Sequence, residues 1–258
     1  MKILLAIDDG IQAKGIQVLY NRLIQDSENE VYVIAPDSNR SAVSHHITMS
    51  GGYTMKEYKK NQWAISGYPV DCSCLAITGD FFDFKFDLVI SGINEGANMG
   101  TDIIYSGTCG AARQAVLSGV PAIALSVDPE IWDEEHRRNI KYEALADFAA
   151  KNLKELAKLA SVQVPRIFVN VNAASQDSYK GVKYCNDLCI REYGDTLRVD
   201  KTADDKGNMN VTFVSGGQFP KPKENCDVHV VKDGYIAVSR VYADPLATEI
   251  VDGMQFKL

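Results

Sequence analysis

Short apolar runs alternate with stretches of helical periodicity through the first two thirds of the chain, and this alternation restricts the fold more than any other feature. Ile3 to Ile7 reads as a strand, Gly15 to Ile24 as a helix, and Val31 to Ala35 as a second strand closed by Pro36-Asp37. A helix around Val70 to Thr78, a strand at Asp87 to Ser91, a helix from about Cys109 to Ser118 and a strand at Ala122 to Ser126 follow. Apolar runs with few polar interruptions suit strands buried on both faces, and their alternation with helices is the pattern of a parallel sheet flanked by helices. The sequence therefore predicts an α/β fold with a parallel sheet flanked by helices.

A longer amphipathic segment, from about His136 to Ser161, keeps Leu145, Phe148, Ala149, Leu153, Leu156 and Ala160 at helical spacing. Pro165 stops it, and Arg166 to Val171 reads as another strand. After residue 175 the pattern changes to Val182 to Ile190, Met209 to Val214, Val228 to Val231 and Tyr235 to Val241, short alternating stretches between polar turns. This predicts one domain over residues 1–258, with a core at 1–175 and a smaller β-rich extension at 176–258 that is not independent.

With 258 residues, 46% of them hydrophobic, the chain can bury a sizeable core. A formal net charge of -7 offers no general attraction for a nucleic-acid polymer or an anionic membrane, which leaves a small phosphate in a local site as the expected kind of anion. No signal-peptide pattern precedes the first strand, and no apolar run approaches the ~18 residues that span a bilayer, so a cytoplasmic protein is expected. The six cysteines form no C-x-x-C pair, which favours reduced structural thiols over a zinc or redox site.

Ligands of such a sheet sit outside the carboxyl ends of its strands. Four polar segments follow apolar runs: Asp8-Asp9-Gly10, "APDSNRSAVSHH", "SGINEGANMGTDIIYSGT" and "SVDPE". Two adjacent carboxylates repel unless a proton or a cation lies between them. Both can approach one ion only if the chain turns there, which Gly10 permits. The bland alternative is that one aspartate caps the next helix while the other is solvated.

The third segment tilts the balance towards the ion. Asn94, Asn98, Ser106 and Thr108 supply neutral polar groups, and Ser106-Gly107-Thr108 opens a helical pattern, where backbone N–H groups and the helix dipole favour a phosphate. Neither the dinucleotide nor the P-loop fingerprint is present. Carboxylate, hydroxyl and amide oxygens favour Mg²⁺ or Mn²⁺ over Zn²⁺. His45 is a candidate phosphate contact or general acid, set against a structural role.

Taken together, "IDDGIQAKGI", "VIAPDSNRSAVSHHIT", "GYPVDC", "DLVISGINEGANMGTDIIYSGTCGAARQAVLSGVPAIALS" and "VKDGYIAVS" resemble the stationary-phase survival protein (SurE) family of nucleotidases, in order and spacing from residue 2 to about 249. The resemblance implies a metal-dependent phosphatase that hydrolyses nucleoside 5'- and 3'-monophosphates, with short polyphosphate as a further substrate in some members. It implies a Rossmann-like core, a β-rich C-terminal part and assembly as a homodimer or homotetramer. It also implies one divalent cation per subunit, Mg²⁺ or Mn²⁺, held by Asp8, Asp9, Ser41 and Asn94. Phosphate contacts fall on Asn98, Ser106, Gly107 and Thr108, and Asp8 and Asp9 become the catalytic pair.

Two departures stand out. The family usually reads Asn-Asp-Asp-Gly where this chain has Ile7 before its aspartates, and "SRVYADPLATE" keeps only the outline of the C-terminal stretch. Two rival functions remain. A haloacid-dehalogenase-type phosphatase also begins with aspartates after its first strand, but needs Asp-x-Asp where position 10 is Gly. A nucleotide-binding regulatory protein without turnover is the other.

Overall fold

The computed structural model describes residues 1–129, 135, 138–204, 206–221 and 224–245. Among these residues nine strands form one sheet in the order β3-β4-β2-β1-β5-β6-β7-β13-β8. The centre is β1 (Lys2–Ala6), β2 (Glu30–Pro36), β5 (Leu88–Glu95), β6 (Ala122–Asp128) and β7 (Ile167–Ala174), all mutually parallel. The α/β architecture is the one expected from the alternation of the sequence.

Successive side chains of a strand face opposite sides, and β1 with Ile7 directly after it divides its residues accordingly. Ile3, Leu5 and Ile7 join the apolar layer under α1 (Lys14–Leu23) and α5 (Glu143–Lys151). Leu4 and Ala6 join the layer under α2 (Pro69–Thr78) and α4 (Gly107–Leu117). All five are fully buried, each large one contributing about 1.5–3 kcal/mol to stability.

Four elements differ from expectation. A hairpin of β3 (Met55–Lys59) and β4 (Gln62–Ile65) extends the sheet beyond β2. The long helix expected to Ser161 is two helices, α5 and α6 (Leu153–Leu159), parted at Asn152, whose side chain bonds back to Phe148 O; its expected start at His136 lies outside the described residues. Val182 to Ile190 is not continuous: β8 (Val182–Cys185) and β9 (Ile190–Tyr193) are separate strands. Val228 to Val231, expected as a strand, belongs to helix α7 (Asp227–Lys232). There the packing of buried Val228, Val230 and Val231 outweighs the strand preference of valine.

The C-terminal region stays tied to the main sheet. β13 (Ile236–Tyr242) pairs antiparallel with β7 and parallel with β8. Between them, β9 pairs with β12 (Gln218–Lys221), and β10 (Thr196–Val199) with β11 (Val211–Val214). The short helix α3 (Asp102–Tyr105) precedes α4. No helix among the described residues is long and apolar enough to cross a membrane.

Candidate active site

The ends of β1, β2 and β5 and the start of α4 meet at a cavity of about 690 Å³. Asp8, Asp9, Ser41, Asn94, Asn98 and Ser106 line it, so sequence-distant residues expected to work together are brought together. Neither aspartate caps the following helix, whose N-cap is Ala13 without a side-chain bond.

Asp8 is nearly fully buried and accepts two bonds from Thr108, one from the hydroxyl at 2.5 Å and one from the backbone N–H at 3.1 Å. Burial pushes its carboxyl above the usual range, with the bonds from Thr108 acting against that rise. The approach requires a glycine at position 107, since a Cβ there would lie 2.9 Å from Asp8 Cβ. Ser106 caps α4 by accepting from Cys109 N at 2.9 Å, while Gly110 N donates to Ser106 O. The amides expected to cradle a phosphate are therefore engaged, and the anion at this helix start is Asp8 itself, a placement the helix dipole favours. Gly107 and Thr108 are not among the described residues lining the cavity.

Asp9 lines the same cavity from the same turn, which Gly10 completes with φ 98°. Its carboxylate accepts from Asn39 Nδ2 at 3.3 Å and from Glu95 N at 2.8 Å. Asn39 also accepts from Ser41 N, so one asparagine ties the loop after β2 to the loop after β1. Arg40 N donates to Asp8 O at 2.7 Å, a second tie between the same loops.

Asn94 follows a register shift between β5 and β6. Its amide nitrogen donates to Gly96 O at 2.7 Å, which leaves the amide oxygen towards the Thr108 hydroxyl, 3.5 Å away. Asn98 is held on both sides of its peptide. Its N–H donates to Asn172, its carbonyl accepts from Asn170 and Asn172, and its side-chain nitrogen donates to Ser126 at 2.8 Å. Asn170 and Asn172 alternate along β7 in "FVNVNA", polar positions in a buried strand that were the signal for this network.

The far wall comes from the C-terminal region, which sequence reasoning did not connect to the site: Tyr193, Asp195 and Phe213 line the same cavity. Arg191 and Tyr193 of β9 both bond Asp102 of α3, and Arg191 N donates to Thr101 Oγ1 at 3.0 Å. Asp227 accepts from Gly100 N at 2.7 Å and from Cys189 N at 2.9 Å, clamping the loop to the strand. Burial raises the Asp102 carboxyl to about 6, with Arg191 opposing and Asp227 and Asp128 adding to the rise.

His45 is not brought into the cavity. Its Nε2 pairs with Gln114 Oε1 at 2.9 Å on α4, its Nδ1 is buried without a partner among the described residues, and burial lowers its pKa. Ile7 is fully buried in the apolar layer against α1, so the position holds a core side chain.

Asp8, Asp9, Glu95, Asp102 and Asp195 line the cavity, with no lysine or arginine among the described lining residues. The donor set fits a hard cation, being carboxylate, hydroxyl and amide oxygen. No group of three or more His, Cys, Asp or Glu among the described residues is arranged as a metal site, so an ion here would draw on Ser41 and Asn94 as well as on the two aspartates.

The model of the family described as survival protein SurE matches residues 3–194. The chain belongs to the SurE family. A SurE relative described as 5'-nucleotidase SurE, from Treponema pallidum (strain Nichols), is 45% identical over 185 residues, covering 71% of this chain and 96% of that protein. Another of the same description, from Pelotomaculum thermopropionicum, is 34% identical over 263 residues, covering 99% and 94%. The crystal structure of the SurE protein from Aquifex aeolicus superposes with a TM-score of 0.75 at 30% identity, covering 95% of each chain.

Proposed function

We propose that this SurE-family chain is a divalent-cation-dependent 5'-nucleotidase, a phosphoric monoester hydrolase releasing phosphate from nucleoside monophosphates, including 3'-monophosphates. The observation that carries the reading is the convergence of Asp8, Asp9, Ser41 and Asn94 on one acidic cavity. A phosphate dianion meets only repulsion from such a wall, so its entry calls for a cation. The 5'-nucleotidase description of its relatives supports the same chemistry.

In this reading Asp8, Asp9, Ser41 and Asn94 hold Mg²⁺ or Mn²⁺, one per subunit. When bound, the ion supplies charge neutralisation at the phosphoryl oxygens and a water of lowered pKa. Thr108 fixes the direction of the Asp8 carboxylate, and Asn39 with Glu95 N fixes Asp9. Asn98 and Ser106 face the transferred group, held still by Ser126, Asn172 and the cap of α4. Preorganised donors of this kind act on charge that develops during transfer. His45, bonded to Gln114, supports the loop over α4 instead of touching phosphate. The haloacid-dehalogenase alternative lacks its second aspartate, since position 10 is Gly10.

Exposed Leu197, Val199 and Val211 on the β10–β11 hairpin, with Val182 and Tyr184 on the edge strand β8, support assembly as a homodimer or homotetramer. The six cysteines, none in a disulfide, support a cytoplasmic setting.

The test is phosphate release from AMP with Mn²⁺. Asp8→Ala and Asp9→Ala should each abolish it in correctly folded protein, and retained release in either variant would refute the assignment. A wild type that binds nucleotide and metal but releases no phosphate over hours would favour the regulatory reading.

A further inference from the structure

We infer that Tyr105, Tyr193 and Phe213 form a subsite for the planar leaving group, so that this chain selects phosphomonoesters of aromatic-bearing nucleosides over aliphatic ones while tolerating any base. The inference rests on the nucleotidase reading and deepens it.

The cavity lining is of two chemical kinds. Asp8, Asp9, Ser41 and Asn94 offer oxygen groups, and Tyr105, Tyr193 and Phe213 line the same space from α3 and the C-terminal strands. Its volume of about 690 Å³ is in the range that takes a whole organic ligand, far more than a phosphoryl group needs. Tyr105 directly precedes Ser106, whose hydroxyl caps α4, so the two kinds of lining lie one residue apart along the chain. A nucleoside whose phosphate meets the oxygen groups has its base within reach of these rings.

The rings are also placed for a ligand and not for the core. Tyr105 is 53% exposed and Phe213 63% exposed. Tyr193 is fixed by its hydroxyl on Asp102, which sits on the same helical turn as Tyr105, and Arg191 grips that aspartate from the other side. One carboxylate thus sets the spacing of two rings.

Rings read the face of a base and not its edge, which makes stacking tolerant of sequence. Asp195, the polar group nearest in sequence to Tyr193 on this wall, already accepts from Gly216 N at 3.0 Å.

Two measurements test the subsite. In turnover with Mn²⁺, Tyr105→Ala and Phe213→Ala should lower kcat/KM for AMP and for UMP alike by about 10- to 100-fold, mostly through KM. Ribose 5-phosphate turnover should change by less than about twofold, since the lost interaction is binding of the base. Phe213→Tyr and Tyr105→Phe should restore nucleotide turnover. Equal losses on AMP and ribose 5-phosphate, or no loss on AMP, would overturn the subsite. Calorimetry with adenosine reads it independently of turnover: binding that is lost in the alanine variants supports it, while unchanged binding, or none by the wild type, overturns it. A wild type that binds adenosine through these rings yet releases no phosphate from AMP would overturn the nucleotidase reading alone.

Discussion

The hydroxyl of Thr108 donates to the Asp8 carboxylate at 2.5 Å across a sequence separation of 100 residues, and the same residue's amide donates to the other oxygen. The direction of one proposed metal ligand is therefore set by the first turn of a helix, held near it by the missing side chain of Gly107. Removing the partner of a ligand typically costs 10- to 100-fold in metal affinity or activity. Thr108→Val should weaken Mn²⁺ binding by about that factor, while Thr108→Ser retains it. Calorimetric titration of the two variants would check this, and equal affinities would show that the hydroxyl does not orient Asp8.

Cation binding should also appear as stability. A ligand at about 100 times its dissociation constant adds about 2.7 kcal/mol to the folded state. Mn²⁺ or Mg²⁺ should raise the thermal midpoint of chelated protein, EDTA should reverse the rise, and Asn94→Ala should abolish it. A full shift in that variant would remove Asn94 from the ligand set.

Ile7 gives a prediction about packing. Ile7→Asn, which restores the residue usual in the family, buries an amide among apolar side chains and loses most of a large hydrophobic contact. The expected cost is on the order of 3 kcal/mol, read as a lower urea midpoint. An unchanged midpoint would mean that the position tolerates the amide and that the surrounding layer has a partner for it.

Asp102 gives a prediction about pH. Its carboxyl is raised by burial to about 6, so the folded state keeps a proton that the unfolded state gives up near 3.8. The stability this provides is fully present below the unfolded value and is lost as pH rises through about 6. Allowing for solvent screening, it amounts to about 2 kcal/mol. Urea unfolding between pH 4 and 7 should therefore lose part of its downward slope in Asp102→Asn; an unaltered slope would assign the effect elsewhere, for example to Asp227, which burial shifts in the same direction.

The core of the fold and one half of the site were legible because local signals there agree with the tertiary structure. Ile3 to Ile7, Val31 to Ala35 and Ala122 to Ser126 are buried on both faces and read as strands without help from context. The end of a strand at Asp8-Asp9-Gly10 then places the acids. Val228 to Val231 misled because β-branched propensity is weak against packing, and Asp227 anchors that helix through bonds to Gly100 and Cys189 that no local pattern announces. The aromatic wall was illegible for the same reason. Phe213 sits on a short, exposed strand, and nothing near it in sequence connects it with Asp8. The polar asparagines of β7 were visible in the sequence, yet their meaning depended on Asn98 lying opposite them.

The register of β7 with β13 has a practical reach. Asn172 faces Ala237 in an antiparallel pair, so the strand that ends at Ala174 is joined directly by the one that starts at Ile236, with β8 beyond it on the sheet edge. Of the described strands between them, β8 belongs to the main sheet, while β9 to β12 stand outside it. A two-residue turn could close those strands directly, leaving Asp8, Asp9, Ser41 and Asn94 on the remaining scaffold while removing β8, α7, Tyr193, Phe213 and the Asp227 hold on Gly100. In the proposed reading the retained strand ends carry hydrolysis and the segment between carries the choice of leaving group, so a grafted segment that keeps the ties to Gly100 and Asp102 would change the second and not the first.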